Sequence, residues 1–195
     1  MGVRGGFCIL MMIASGAAAQ TTQDVINGEG RFNWVMFNTV GPVSAVAGLV
    51  TAGWSTLIDV PPEYDTHWDG FGKRYGLRLT GIATSNTMEA GLGALWGEDP
   101  RYPRARDRSF GARVRNVVKY TFLARNDYGE TVPAYARYAG IAGGNFLSNT
   151  WRPNSETTTG HTIGRIGLGF LGRMSSNALL EFWPDIRSRV FGDER

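Results

Sequence analysis

The residues best suited to chemistry are Asp65-Thr66-His67-Trp68-Asp69, where one imidazole stands between two carboxylates. A general base with an orienting acid needs those residue types within hydrogen-bond reach. Glu98 and Asp99, followed by Arg101, form a second cluster that could hold a cation or work as an acid and base pair. Asp65, His67, Asp69, Glu98 and Asp99 are therefore the candidate catalytic residues, and an envelope hydrolase built on them requires all five to converge in one cleft.

Each cluster also has a plainer reading. A loop histidine is satisfied by a neighbouring carboxylate without doing any catalysis. Acids at a helix C-terminus are opposed by its dipole, so Glu98 and Asp99 call for a compensating partner. Arg101, Arg104, Arg74 and Arg78 are the available cations, which makes a structural salt-bridge network the favoured account. The same logic covers Glu181 and Asp185 around Trp183-Pro184.

Other chemistries find no support in the pattern. His67 and His161 are the only histidines, so no His-x-x-x-His pair exists and no metal site is expected. There is no Gly-x-Ser-x-Gly elbow, no phosphate-cradling Gly-Lys loop and no dinucleotide fingerprint, and nothing calls for a cofactor. A formal net charge of +3 is no electrostatic footprint for nucleic acid.

The elements that would position these residues begin after an apparent leader. Arg4 precedes the apolar run Gly5 to Ala14, and Ala17 and Ala19 give a small-x-small cleavage pattern, so residues 1–19 are expected to be a signal peptide. The only cysteine, Cys8, would leave with it. The rest of the chain, 20–195, is expected to form a single helical domain with a loose arm from Gln20 to Arg31.

About five helices are expected. No charge occurs from Phe32 to Ile58, and Val43 to Ile58 reads as a buried helix after Pro42. From Gly70 to Trp96, Gly72, Gly76, Thr80, Ala83, Thr87 and Gly91 recur at helical spacing and predict a face for close packing. Glu98 to Arg108 reads as a loop. Ser109 is the expected cap of a helix whose face is Phe110, Val114, Val117, Val118 and Thr121, with Arg113, Arg115 and Lys119 in water. Thr131 and Pro133 read as a cap and an early helical proline before Ala136, Gly140 and Gly144, and a last helix is expected to end at Pro184. The alternative is a β-barrel, since Val118, Tyr120 and Phe122 alternate, as do Ile166, Leu168 and Phe170, but eight alternating stretches are not found.

Two features suit a membrane, although a solvated helix face and a soluble helical bundle account for them as well. Arg101 to Arg125 carries eight cations against Asp107 alone, and Phe110, Tyr120 and Phe122 could anchor such a surface among anionic headgroups. The glycine-rich helix faces suit packing against a bilayer or another subunit.

The phrases Gly97-Glu98-Asp99-Pro100-Arg101-Tyr102, Phe146-Leu147-Ser148-Asn149-Thr150-Trp151 and Glu181-Phe182-Trp183-Pro184-Asp185 resemble those of a group of uncharacterised exported bacterial proteins. The resemblance implies export and one domain, and it transfers no activity. The expected function is that of a non-enzymatic, envelope-associated helical protein that packs against membrane or partner subunits, with a homo-oligomer among the expected assemblies. The alternatives are the hydrolase above and a soluble periplasmic binding module.

Overall fold

A computed structural model describes residues 25–191, so the expected leader lies outside the described residues. The architecture is mainly α-helical, as expected. Of the expected loose arm, residues 20–24 lie outside the described residues, and the remainder does not run to Arg31, because Asn27 is not a simple turn residue. Its side chain accepts a 2.7 Å hydrogen bond from the Gly30 amide and so caps α1, Gly28–Val40. Gly41 is extended and Pro42 takes the first position of α2, Pro42–Leu57, where its missing N–H is no loss. The two segments therefore form one apolar rod with a break.

α3 runs from Trp68 to Trp96, 29 residues or about 43 Å at 1.5 Å per residue. It stops at Gly97, whose φ of 73° is the left-handed conformation that glycine adopts without strain. The expected loop after it starts instead with a short strand, β1, Glu98–Asp99. α4 follows, Phe110–Phe122, with Ser109 at the cap position but making no capping side-chain bond.

β2, Leu123–Asn126, and β3, Thr131–Pro133, form an antiparallel hairpin, and β1 pairs with β2. Thr131 and Pro133 thus belong to a strand, and α5 begins later, Tyr135–Ser148. Strands of two to four residues are too short to display an alternation that sequence reading can detect. The sheet is open, with order β1-β2-β3, so no barrel closes among the described residues. The alternating residues from Val118 to Phe122 and from Ile166 to Phe170 lie in helices.

α6, Thr159–Phe191, continues through Pro184 rather than ending there. The proline removes one ladder hydrogen bond. Arg113 spans the weakened turn, pairing with both Glu181 and Asp185 and donating to the Glu181 carbonyl.

α3 is the central element, with α1, α2 and α5 packed on it, while α6 packs on α5 and α4. α5 crosses α3 closely at Gly140, where an added Cβ would lie 2.7 Å from the Ser85 carbonyl oxygen. The face expected for such approaches, at Gly72, Gly76 and Gly91, meets nothing within 4 Å. α4 is also rotated from expectation. Arg113, Val117, Tyr120 and Thr121 point inward, while Phe110, Val114 and Val118 are exposed. Among the described residues the buried apolar cluster is small, Tyr102, Val117 and Tyr120 with Met174, Leu180 and Phe182 against them.

Candidate functional site

The structure separates the sequence candidates into two places at opposite ends of α3. Asp65, His67 and Asp69 lie just before or within its first turn, whereas Glu98 and Asp99 follow its last residue, so the five do not share a cleft. His67 Nδ1 lies 3.3 Å from Asp65, with side-chain exposures of 84% and 63%, so the pair stands in solvent. Asp65 also accepts the His67 amide at 2.9 Å, and this bond holds its carboxyl below the ordinary value. Asp69 is occupied by Lys73 at 2.5 Å, one helical turn on.

Glu98 and Asp99 are buried and have distinct partners. Asp99 pairs with Arg101 at 2.6 Å, one of the cations expected for it. Glu98 is compensated differently. Its carboxylate instead accepts the Tyr135 and Ala136 amides, at 3.1 and 3.0 Å, and caps the N-terminus of α5. The first amides and positive end of that helix supply what the negative end of α3 opposes. Arg74 is not available to these acids. At the far end of α3 it pairs with Asp59 at 3.1 Å and binds the Val60 and Pro61 carbonyls, fixing the α2–α3 connection. Arg78 donates to the Ser44 carbonyl of α2.

The residues that sequence reading missed form the centre of the molecule. Glu89 lies between Arg137, at 3.0 Å, and Arg173. Arg137 also donates to the Tyr120, Thr121 and Leu123 carbonyls at the end of α4, and Asn177 shares the Tyr120 carbonyl at 3.2 Å. Arg31 closes the same end of the bundle by donating to the Glu98 carbonyl at 2.8 Å. Glu89, Glu98, Asp99, Ala124 and Arg137 pack together here, and the space between them is too small to hold a water molecule.

A second buried cluster is centred on Glu181, which accepts from Tyr102 Oη at 2.7 Å, Ala105 N at 3.1 Å and Arg113 Nε at 3.1 Å. Burial, together with the neighbouring carboxylate, pushes the Tyr102 phenol up, so it remains a donor. Arg113 was expected in water and is instead buried here. Tyr120, expected at an interface, is also buried.

The outer surface is the counterpart of this polar interior. Val50, Trp54 and Leu57 of α2 are 65%, 64% and 80% exposed. The segment Gly28–Leu57 is long and apolar enough to cross a membrane, with mean hydropathy 1.5 and only 17% of its window buried against the rest of the protein. No group of His, Cys, Asp and Glu able to hold a metal ion occurs among the described residues. No protein family, curated protein or solved structure matches the chain.

Proposed function

We propose that the protein is an exported, non-enzymatic component of the periplasm or cell envelope, associated with a membrane or with partner subunits through its outer helix faces. The observation that carries this reading is the α1–α2 rod, whose apolar side chains face away from the protein. A soluble protein of this size buries such a helix in its core, whereas a surface that meets lipid leaves it outward. The interior supports the same reading. Arginine and glutamate are paired and hydrogen-bonded at the centre, as intramembrane ionisable groups must be. The open glycine faces of α3 and α6 offer further surface for close packing.

The test is fractionation of cells expressing the full chain, followed by washing the membranes with high salt and then alkaline carbonate. Retention through both washes is the expected result and indicates embedded segments. Release by salt alone indicates surface charge contacts without insertion. Recovery in the soluble periplasm would overturn the membrane reading.

A further inference from the structure

We infer that α4 and the loop before it form a surface for anionic phospholipid, with the helix lying along the headgroup layer. It rests on the membrane association proposed above. Phe110, Val114, Val118 and Phe122 stand four positions apart and form one exposed row along α4. Their neighbours on the next row, Arg115 and Lys119, are exposed as well. Going further round the helix one meets Asn116, whose amide donates to the Pro103 carbonyl and Tyr102 Oη, both at 2.8 Å. The arginine loop is therefore held on the basic side of α4, and Arg104 and Arg106 extend the same charged edge.

An apolar row bordered by cations is the arrangement of an interfacial helix. The apolar row enters the acyl boundary while the long cationic stems reach back to the phosphates. The acids nearby, Asp107 and Asp185, are outnumbered by Arg104, Arg106, Arg108, Arg115 and Lys119. Asp107 accepts the Ser109 amide at 2.8 Å, and Asp185 is drawn inward by Arg113, with Arg108 at 3.9 Å. Arg104, Arg106 and Arg115 have no carboxylate partner among the described residues. Aromatic contacts fix both ends of the row, Phe110 against Phe182 at 5.7 Å and Phe122 stacked on Phe170 at 5.6 Å. The surface is thus already formed before lipid arrives.

The experiment compares binding of the full chain to vesicles of phosphatidylcholine alone and of phosphatidylcholine with phosphatidylglycerol. Binding should favour the anionic vesicles and weaken with salt. Replacing Arg106, Arg115 and Lys119 together by Gln should weaken anionic binding about a hundredfold and leave zwitterionic binding unchanged. The far-ultraviolet circular dichroism should not change, since all three side chains are exposed. Equal binding to both vesicles, or an anionic preference that survives the triple substitution, would overturn the lipid site while leaving membrane association standing. Binding to neither vesicle would overturn the lipid site and the membrane association together, leaving association with partner subunits.

Discussion

Glu89 Oε1 and Arg137 Nε meet at 3.0 Å with both side chains only 3% exposed, and Arg173 approaches the other carboxylate oxygen. The triad links α3, α5 and α6, and through the carbonyls bound by Arg137 it also holds the end of α4. Its net charge is positive, so removal of the one acid leaves two buried guanidinium groups without an anion. Glu89→Gln should therefore lower unfolding free energy by about 3–5 kcal/mol, the usual effect of breaking a buried pair. Denaturant unfolding of the variant against the parent chain checks it, and unchanged stability would mean that the arginines find other compensation.

Glu98 acts on a different element, because its carboxylate caps α5 from across the bundle. Glu98→Ala should cost about 1–2 kcal/mol through the loss of the cap and of a favourable charge at the helix N-terminus. Hydrogen exchange at Tyr135 and Ala136 should accelerate first, ahead of the amides in the middle of α5. Uniform acceleration along the helix would instead indicate global destabilisation.

Much of the helical plan could be read from the chain, and the short sheet could not. Pro42, Gly97 and Asn126-Asp127-Tyr128-Gly129 act on the backbone locally, so their effects follow from residue type. The orientation of α4 depends on a long-range contact instead. Arg113 turns inward because Glu181 and Asp185 await it on α6, which no reading of residues 109–122 could reveal. The central triad did leave a signal. Glu89 is the only charge between Leu79 and Gly97, Arg137 the only one between Thr131 and Trp151, and Arg173 the only one between Ile166 and Leu180. A lone charge in an uncharged helical stretch implies a buried partner, and three such stretches imply that the charges meet.

Asp185 makes part of the stability pH-dependent. The Arg113 hydrogen bond holds its carboxyl below the ordinary value of 3.8 in the folded chain. A group lowered on folding binds its proton more readily when unfolded, so its contribution is complete above that ordinary value and is lost as pH falls through the lower folded value. Melting temperatures of the parent chain and Asp185→Asn should differ at pH 7 and converge towards pH 2. A constant difference over that range would show that the Arg113 contact does not depend on the charge of Asp185.

The solvent-facing Asp65–His67 pair yields the opposite expectation from the buried triad. His67→Ala should leave the melting temperature unchanged, since it removes only an exposed contact. A large loss of stability would reveal a contact that makes the α3 entrance depend on the imidazole.

The glycines divide into two groups with opposite predicted responses. At Gly140 an added Cβ meets the Ser85 carbonyl oxygen at 2.7 Å and the Glu89 backbone nitrogen at 3.0 Å, so Gly140→Ala must push α5 from α3 and weaken the triad beneath it. Gly76 and Gly91 meet nothing within 4 Å, and alanine is about 1 kcal/mol better than glycine in a helix interior. Gly76→Ala with Gly91→Ala should therefore stabilise the isolated chain. If the open face packs against a second copy, the same double variant should also weaken self-association, because the added methyl groups hold the backbones apart. Sedimentation velocity in detergent, run beside thermal melting, separates the two effects. Higher melting temperature with unchanged association would leave the face to lipid, and lower melting temperature would show that the face is already covered within the chain.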